Sequence, residues 1–221
     1  MTTPSLQDRI VTAYRRLADA NLLPLSSGNI SVRHGDDILI TPTGASADLH
    51  ADDLVVIDFD GRAKGSGIPS SEWAMHAEIY LQRPDAEAVV HTHGDACTAL
   101  SCHRRALPPF HYMIASFGGS DVPCTPYAPF GSRELAQHAG RALKERSACL
   151  LANHGMICLA SSVEAAAKSA LKLEMLVRQY ILSTQMGPPI MLSADELAEV
   201  SRRYRYYGAA YIPESEETHQ S

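Results

Sequence analysis

Two histidines stand one residue apart at the end of an apolar run, in the stretch V-V-H-T-H-G that spans residues 89–94. Side chains alternate between the two faces of a β-strand, so His91 and His93 point to one side and Thr92 to the other. Two imidazoles at this spacing can bind one metal ion, and zinc binds neutral imidazole well. The motif indicates a candidate metal site, although an isolated H-x-H also occurs as two unrelated histidines at a strand end.

A catalytic zinc ion usually has three protein ligands and one open coordination position. His154 is the best candidate for the third ligand, because it ends the apolar run A-C-L-L-A-N-H just before a glycine. Two apolar runs that each end in histidine and glycine are the pattern expected when two strand ends meet at one site. His76, which follows Glu72 by one helical turn, is interpreted as a helix-face residue, and a role as a ligand is less favoured.

Three short stretches could supply hydrogen-bond donors to an anion: S-S-G-N, T-P-T-G and S-S-E-W, at residues 26–29, 41–44 and 70–73. Ser70 or Ser71 is expected to cap a helix whose free N–H groups and dipole favour a negative charge, with Glu72 in its first turn. The three stretches contain no lysine or arginine, so a phosphate bound there would depend on neutral donors, the helix end and the metal. Ordinary turn and cap chemistry explains each stretch equally well when it is taken alone.

The elements that must position these residues alternate along the chain. We predict helices near residues 6–23, 72–83, 96–103, 132–146, 163–182 and 194–207, and strands near 30–33, 37–41, 54–59, 88–93, 148–154 and 156–160. Residues 110–117 are interpreted as extended or irregular. Several strands are joined by short turns such as His34-Gly35-Asp36, which favours a mixed, largely antiparallel sheet covered by helices over a strictly parallel one.

The composition restricts the class of protein. The chain has 221 residues, 45% of them hydrophobic, which is typical of one folded domain (1–221), with a polar tail near 213–221 expected to be flexible. The formal net charge of −6 argues against nucleic-acid binding through phosphates. We find neither a membrane-length apolar run nor a signal-peptide pattern, and five scattered cysteines without a C-x-x-C pair are typical of reduced thiols. These features predict a cytoplasmic protein that does not bind membranes.

Taken together, the motifs resemble those of the class II aldolase/adducin family, over nearly the whole chain. They are S-G-N-I-S-V-R, I-T-P-T-G, P-S-S-E-W, R-P-D-A-E-A-V-V-H-T-H, H-Y-M-I-A, G-G-S-D-V-P-C-T-P-Y-A-P-F-G-S-R-E-L and N-H-G-M-I. The resemblance implies an α/β fold, a three-layer α/β/α sandwich around a mixed, largely antiparallel sheet. It also implies a homotetramer with fourfold symmetry and active sites at the subunit interfaces.

The resemblance further implies roles for single residues. It implies Zn²⁺, with Mn²⁺ or Co²⁺ as alternatives, held by His91, His93 and His154, and Glu72 as general base and candidate fourth ligand. The phosphate of a sugar-phosphate substrate would bind at Gly28, Asn29, Thr43, Gly44, Ser70 and Ser71. Tyr112, from a neighbouring subunit, would match the proton-donating tyrosine of the family, and Tyr207 its C-terminal tyrosine. Without that context, both tyrosines are more simply read as packing residues.

The implied reaction is the zinc-dependent retro-aldol cleavage of a ketose 1-phosphate to dihydroxyacetone phosphate and an aldehyde. L-Fuculose 1-phosphate and the 5-deoxy and 5-methylthio derivatives of ribulose 1-phosphate are the candidate substrates. Within the family, a methylthioribulose-1-phosphate dehydratase or a sugar-phosphate epimerase is the alternative, although the epimerases tend to have lysine in place of Thr43 and aspartate in place of Glu72. A non-catalytic assembly module like adducin is the alternative of another class.

Overall fold

A six-stranded sheet forms the middle layer of the protein in the computed structural model, which describes residues 4–205. The strands are β1 (Asn29–His34), β2 (Asp37–Ile40), β3 (Val55–Ile57), β4 (Ala88–Thr92), β5 (Ala148–Leu151) and β6 (Gly155–Ala160). Their order across the sheet is β3-β2-β1-β4-β6-β5, and every neighbouring pair is antiparallel. The prediction of a largely antiparallel sheet is confirmed.

Helices pack on both faces of this sheet. They are α1 (Leu6–Asp19), α2 (Trp73–Gln82), α3 (Asp95–Ser101), α4 (Arg133–Ala142) and α5 (Val163–Thr184), whereas α6 (Ala194–Arg205) packs against the segment Tyr112–Phe117. One hydrophobic core joins the sheet to α1, α3 and α5, and a second joins it to α2 and α4. The adjacent β4 residues Val89 and Val90 belong to different cores, as the alternation of a strand requires. The predicted three-layer α/β/α arrangement is therefore confirmed.

Residues 110–117 differ from their prediction. They were expected to be extended or irregular, but Tyr112–Phe117 forms a 3₁₀ helix. The His111 ring accepts a hydrogen bond from the Met113 backbone N–H at 3.2 Å, which caps this helix, and Gly118 ends it with a φ of 91°. A histidine is not among the residues that usually cap a helix, so the sequence carried no recognisable start signal.

Helix α5 is linked to the segment that follows β4 by a buried carboxylate. Glu174 is 8% exposed, and its two oxygens accept hydrogen bonds from the backbone N–H groups of Ala96 and Cys97 at 2.8 and 3.0 Å. These N–H groups lie in the first turn of α3, which immediately follows His93-Gly94. Any Cβ atom at Gly94 would overlap with the Glu174 carboxylate. Gly94 therefore leaves room for Glu174 of α5 to cap α3 immediately after His93.

None of the helices in residues 4–205 has the length and apolar composition needed to cross a membrane. Helix α5 is long enough, at 22 residues, but its sequence V-E-A-A-A-K-S-A-L-K-L-E-M-L-V-R includes five charged side chains.

Replacing Glu174 with alanine is expected to lower the free energy of unfolding by about 2 kcal/mol, because two buried N–H groups lose a charged acceptor. Denaturant unfolding measures the change. Glu164→Ala on the same helix is the matched control, because its ion pair with Arg9 lies at the surface and contributes less than about 1 kcal/mol. Equal losses for the two variants would contradict the capping role.

Candidate metal and substrate site

Two separate parts of the chain bring three histidines together where β4 and β5 end. His91 is in β4, His93 lies one residue beyond that strand, and His154 is in the turn between β5 and β6. Their ring centroids are 4.5 Å (His91–His93), 4.9 Å (His91–His154) and 5.0 Å (His93–His154) apart. With Glu72 they form a group in which one ligand atom from each residue lies within 4.8 Å of the others. The four residues predicted to hold a metal are therefore brought together.

Two glycines allow the backbone segments of the site to approach this closely. A Cβ atom at Gly155 would lie 2.5 Å from the Thr92 carbonyl oxygen and 3.1 Å from the His93 ring. A Cβ atom at Gly28 would lie 2.7 Å from the carbonyl oxygen of His91, and the φ of Gly28 is 107°, a value that favours glycine. Both positions exclude a side chain because the histidine-bearing backbone passes beside them.

The tautomer of His91 follows from its surroundings. Its Nδ1 atom lies 2.8 Å from the carbonyl oxygen of Met156, and since a carbonyl only accepts, Nδ1 carries the proton. The lone pair of Nε2 then faces Glu72 Oε2, 3.0 Å away, and Nε2 has no hydrogen-bond partner within the part of the chain that the structure describes. Two lone pairs at this distance repel unless a cation lies between or beside them.

Further buried atoms of the group find no hydrogen-bond partner among residues 4–205. They are Glu72 Oε1 and His93 Nδ1, in addition to His91 Nε2, and Glu72 Oε1 lies 3.4 Å from His154 Nε2. Buried polar atoms without partners are costly, and imidazole nitrogens with a carboxylate oxygen are a ligand set that suits zinc. The donor set therefore fits a divalent metal ion.

The charges of the group agree with metal binding. Burial is the main cause that lowers the pKa of His93 to about 3 and that of His154 to about 4, so both rings are neutral at neutral pH. Burial alone would raise the pKa of Glu72, but the charge and hydrogen bond of His91, with smaller contributions from His154 and Asn29, outweigh it and hold this pKa below its ordinary value. Burial likewise opposes the charged form of His91, yet the Glu72 carboxylate raises the pKa of that ring. A positive charge beside Glu72 is therefore favoured, whether a proton or a metal ion carries it.

A cavity of about 430 Å³ opens beside the histidines. Glu72, His93 and His154 line it, and His91 lies fully buried behind them. All six residues predicted for the phosphate line the same cavity: Gly28, Asn29, Thr43, Gly44, Ser70 and Ser71. No lysine or arginine of the described residues lines it. The three candidate loops therefore converge on one space, as the sequence suggested, and any anion there is met by neutral donors.

The start of α2 differs from its prediction. Neither Ser70 nor Ser71 caps the helix, because α2 begins at Trp73 and Glu72 itself occupies the cap position without a side-chain cap bond. The Ser70 hydroxyl instead accepts a hydrogen bond from the Glu72 N–H at 3.3 Å. Ser70 thus orders the backbone that presents Glu72, from a position two residues before the helix cap.

His76 was interpreted as a simple helix-face residue, but it is fully buried beneath the site. Its Nε2 atom lies 2.5 Å from Asn29 Oδ1, and Asn29 Nδ2 donates to Glu72 Oε2 at 3.1 Å. The Asn29 side chain is therefore engaged with Glu72 and His76, and a phosphate contact from it stays a prediction. The four-residue spacing between Glu72 and His76 was the available signal, because it places both on one side of α2.

The two predicted tyrosines lie outside this cavity or outside the described residues. Tyr112 is 47% exposed and lines a different cavity, together with Met113 and Lys172. Tyr207 lies beyond residue 205, the last one described. Two aromatic residues that the sequence interpretation did not select, Tyr127 and Phe130, line the cavity beside the histidines. They belong to the T-P-Y-A-P-F-G stretch, whose aromatic and proline content was the only signal.

Comparison with known proteins identifies the family. A family model described as Class II Aldolase and Adducin N-terminal domain matches residues 8–181. The chain belongs to the class II aldolase and adducin family. The resemblance drawn from the sequence motifs is confirmed.

Individual class II aldolases are similar over almost the whole chain. The 5-methylthioribulose-1-phosphate/5-deoxyribulose-1-phosphate aldolase of Rhodospirillum rubrum is 44% identical over 205 residues, which cover 92% of this chain and 93% of that protein. The L-fuculose phosphate aldolase of Escherichia coli K12 is 44% identical over 210 residues, which cover 94% and 98%. A solved structure of an L-fuculose 1-phosphate aldolase, 33% identical, has a TM-score of 0.87 and covers 93% of this chain and 98% of its own.

Replacing His91, His93 or His154 singly with alanine is expected to reduce the bound divalent metal from about one ion per chain to near zero, because a site of this type needs all three imidazoles. Elemental analysis of purified protein measures the metal content. His34→Ala, at an exposed hairpin position, is the control and should leave the content unchanged. Metal retained in all three site variants would show that the ion binds elsewhere.

Proposed function

We propose that this protein is a zinc-dependent class II aldolase that cleaves a ketose 1-phosphate into dihydroxyacetone phosphate and an aldehyde. The observation that carries the proposal is the buried Glu72 carboxylate, which has one unpartnered oxygen among three imidazoles and lines a cavity of neutral donors. A base, a Lewis-acid site and an anion-binding wall are the three components that this reaction needs.

The substrate class is inferred from relatives and from the cavity together. The similar proteins are named for L-fuculose phosphate and for 5-methylthioribulose and 5-deoxyribulose 1-phosphates, which share a C1 phosphate next to a C2 ketone. We assign the phosphate to the walls formed by Gly28-Asn29, Thr43-Gly44 and Ser70-Ser71. The remaining carbons would extend towards Tyr127 and Phe130, so these residues would contact the part in which the three substrates differ.

Zinc is the metal that suits the donor set best, with Mn²⁺ or Co²⁺ as substitutes. His91, His93 and His154 would hold the ion, and Glu72 is the candidate fourth ligand. The ion would supply electrostatic stabilisation for the negative charge that C–C cleavage leaves on the ketone side.

Glu72 would transfer the proton at the carbon that becomes C3 of dihydroxyacetone phosphate. In the condensation direction the carboxylate removes this proton from C3. In the cleavage direction the proton that leaves the substrate hydroxyl is relayed to the carboxylate, and the resulting carboxyl group delivers it to the enediolate carbon. A base must be ionised to accept a proton, and the low pKa of Glu72 agrees with that requirement. Because Asn29 occupies Oε2, we assign the transfer to Oε1.

We further propose a cytoplasmic homotetramer with active sites at its interfaces. The exposed Tyr112 would then serve the site of a neighbouring subunit, where it would assist proton transfer at the hydroxyl oxygen of the leaving aldehyde. Tyr207 is proposed for the same region. The small-molecule sugar phosphate would be the only ligand class, without nucleic acid or membrane.

Metal removal tests the proposed class of reaction. Exhaustive chelation is expected to abolish the formation of dihydroxyacetone phosphate from ketose 1-phosphates, and Zn²⁺ should restore it.

Supplying dihydroxyacetone phosphate with L-lactaldehyde, acetaldehyde and methylthioacetaldehyde then identifies the aldehyde that condenses. Full activity of metal-free protein would refute the metal-dependent mechanism, and loss of water without cleavage would indicate the dehydratase. A purified protein that binds no zinc and converts none of these compounds would favour an assembly module.

Glu72→Gln is expected to retain dihydroxyacetone phosphate binding but to lower its proton exchange with solvent by a factor of about 10² to 10⁴, because an amide cannot act as the base. Exchange at C3 in deuterated water is measured by NMR. Glu78→Gln, at a half-buried position of α2 that does not line the cavity, serves as the control. Exchange at the wild-type rate in Glu72→Gln would mean that another group moves the proton.

A further inference from the structure

Five buried polar side chains form a continuous hydrogen-bonded chain between α2 and β1. Tyr80 OH lies 2.9 Å from Ser31 Oγ, which lies 2.7 Å from His76 Nδ1. His76 Nε2 lies 2.5 Å from Asn29 Oδ1, and Asn29 Nδ2 lies 3.1 Å from Glu72 Oε2. None of the five residues is more than 6% exposed.

The direction of each hydrogen bond follows from the Glu72 end. An ionised carboxylate only accepts, so the Asn29 amide nitrogen faces Glu72 and its carbonyl oxygen faces His76. That oxygen also only accepts, so His76 donates from Nε2. Burial lowers the pKa of His76 to about 3, so the neutral ring has a lone pair at Nδ1 that accepts from Ser31. Ser31 accepts in turn from Tyr80, and every donor is directed towards the Glu72 carboxylate.

We propose that His76 is a positioning residue for Glu72 and acts through Asn29. Its Nε2–H holds the Asn29 amide in the orientation that donates to Oε2, which fixes the carboxylate and leaves Oε1, without a partner among residues 4–205, as the oxygen for the transferred proton. His76 does not line the cavity, so it influences the reaction without touching the substrate. The inference rests on the proposed function only in the assignment of Glu72 as the base.

The physical reason is that, among the described residues, His76 is the hydrogen-bond donor to Asn29 Oδ1 and no second one is seen. With an apolar residue at position 76, this buried oxygen would lose its donor, and the amide would gain by rotating away from Glu72. In the rotated state the carboxylate loses a hydrogen bond and a fixed position. A flipped amide is no solution, because it would put two acceptor oxygens, Oδ1 and Oε2, against each other.

The experiment uses the full-length, metal-loaded protein with the variants His76→Leu and His76→Gln. His76→Leu is expected to lower zinc affinity and kcat by about 10- to 100-fold each, the usual effect of removing a group that orients a metal ligand. KM should change less than kcat. His76→Gln should recover most of both losses, because its amide N–H can donate to Asn29 in place of Nε2. Zinc affinity is measured by competition with a chromogenic chelator.

Ile79→Val is the matched control for stability. This residue is fully buried on the same helix but takes no part in the hydrogen-bonded chain. It should lower the melting temperature while zinc affinity and kcat stay at wild-type values. If Ile79→Val lowers zinc affinity as much as His76→Leu does, or if His76→Gln recovers nothing, His76 is a packing residue and the proposal is overturned.

A double-mutant cycle decides whether His76 acts through Asn29. In an Asn29→Ala background, His76→Leu is expected to cause no further loss of zinc affinity, because the link between the two residues is already broken. A full, additive loss in that background would contradict the proposal. This measurement needs no substrate, so a protein that shows the coupling but cleaves no ketose phosphate would refute the proposed function and leave the role of His76 intact.

Discussion

The Glu72 carboxylate is only 6% exposed, and its two oxygens lie 3.0 Å from His91 Nε2 and 3.4 Å from His154 Nε2. A buried charge is tolerated only where positive charge and hydrogen bonds compensate it. Asn29 compensates one oxygen and leaves the other without a partner. The remaining positive charge is carried either by His91, whose pKa the carboxylate raises, or by a metal ion that the histidines hold. The metal site, the cavity and the proposed chemistry therefore all depend on this carboxylate.

The fold meets that constraint by ending several elements at one place. Three elements come together at the same end of the strands. They are the last residues of β4, the turn between β5 and β6, and the start of α2. Gly28 and Gly155 remove the side chains that would separate these backbone segments. Glu174 ties the segment after His93 to α5, on the opposite face of the sheet from α2. Both helical layers thus hold the site in place. This support keeps the metal ligands at fixed distances from one another.

Much of this could be predicted from the sequence, because short-range patterns carry it. The H-T-H and N-H-G motifs, the hairpin signal at Gly35 and the strand periodicities all report on local backbone geometry, and the structure has the strands where they indicate. The prediction that Ser70 or Ser71 caps α2 was wrong, because residues 71–72 form a turn and the helix begins only at Trp73.

Features that depend on distant contacts could not be predicted. Nothing near His76 in the sequence states that Asn29, 47 residues away, will lie against it. Glu174 caps α3 across 78 residues of sequence, and the one local sign of this contact is Gly94, which a sequence alone does not explain. His111 caps its own 3₁₀ helix through a contact that few sequences use. In each case the partner is chosen by packing, and packing is not visible in a single sequence.

In the proposed site three imidazoles share one metal ion while a coordination position stays available to the substrate. X-ray absorption spectroscopy of the zinc-loaded protein measures the number and type of ligands. We expect about three nitrogen ligands from imidazole at about 2.0–2.1 Å, with one or two oxygen ligands that change when dihydroxyacetone phosphate is added. A spectrum with fewer than three imidazole ligands, or one that is unaffected by the ligand, would contradict this expectation.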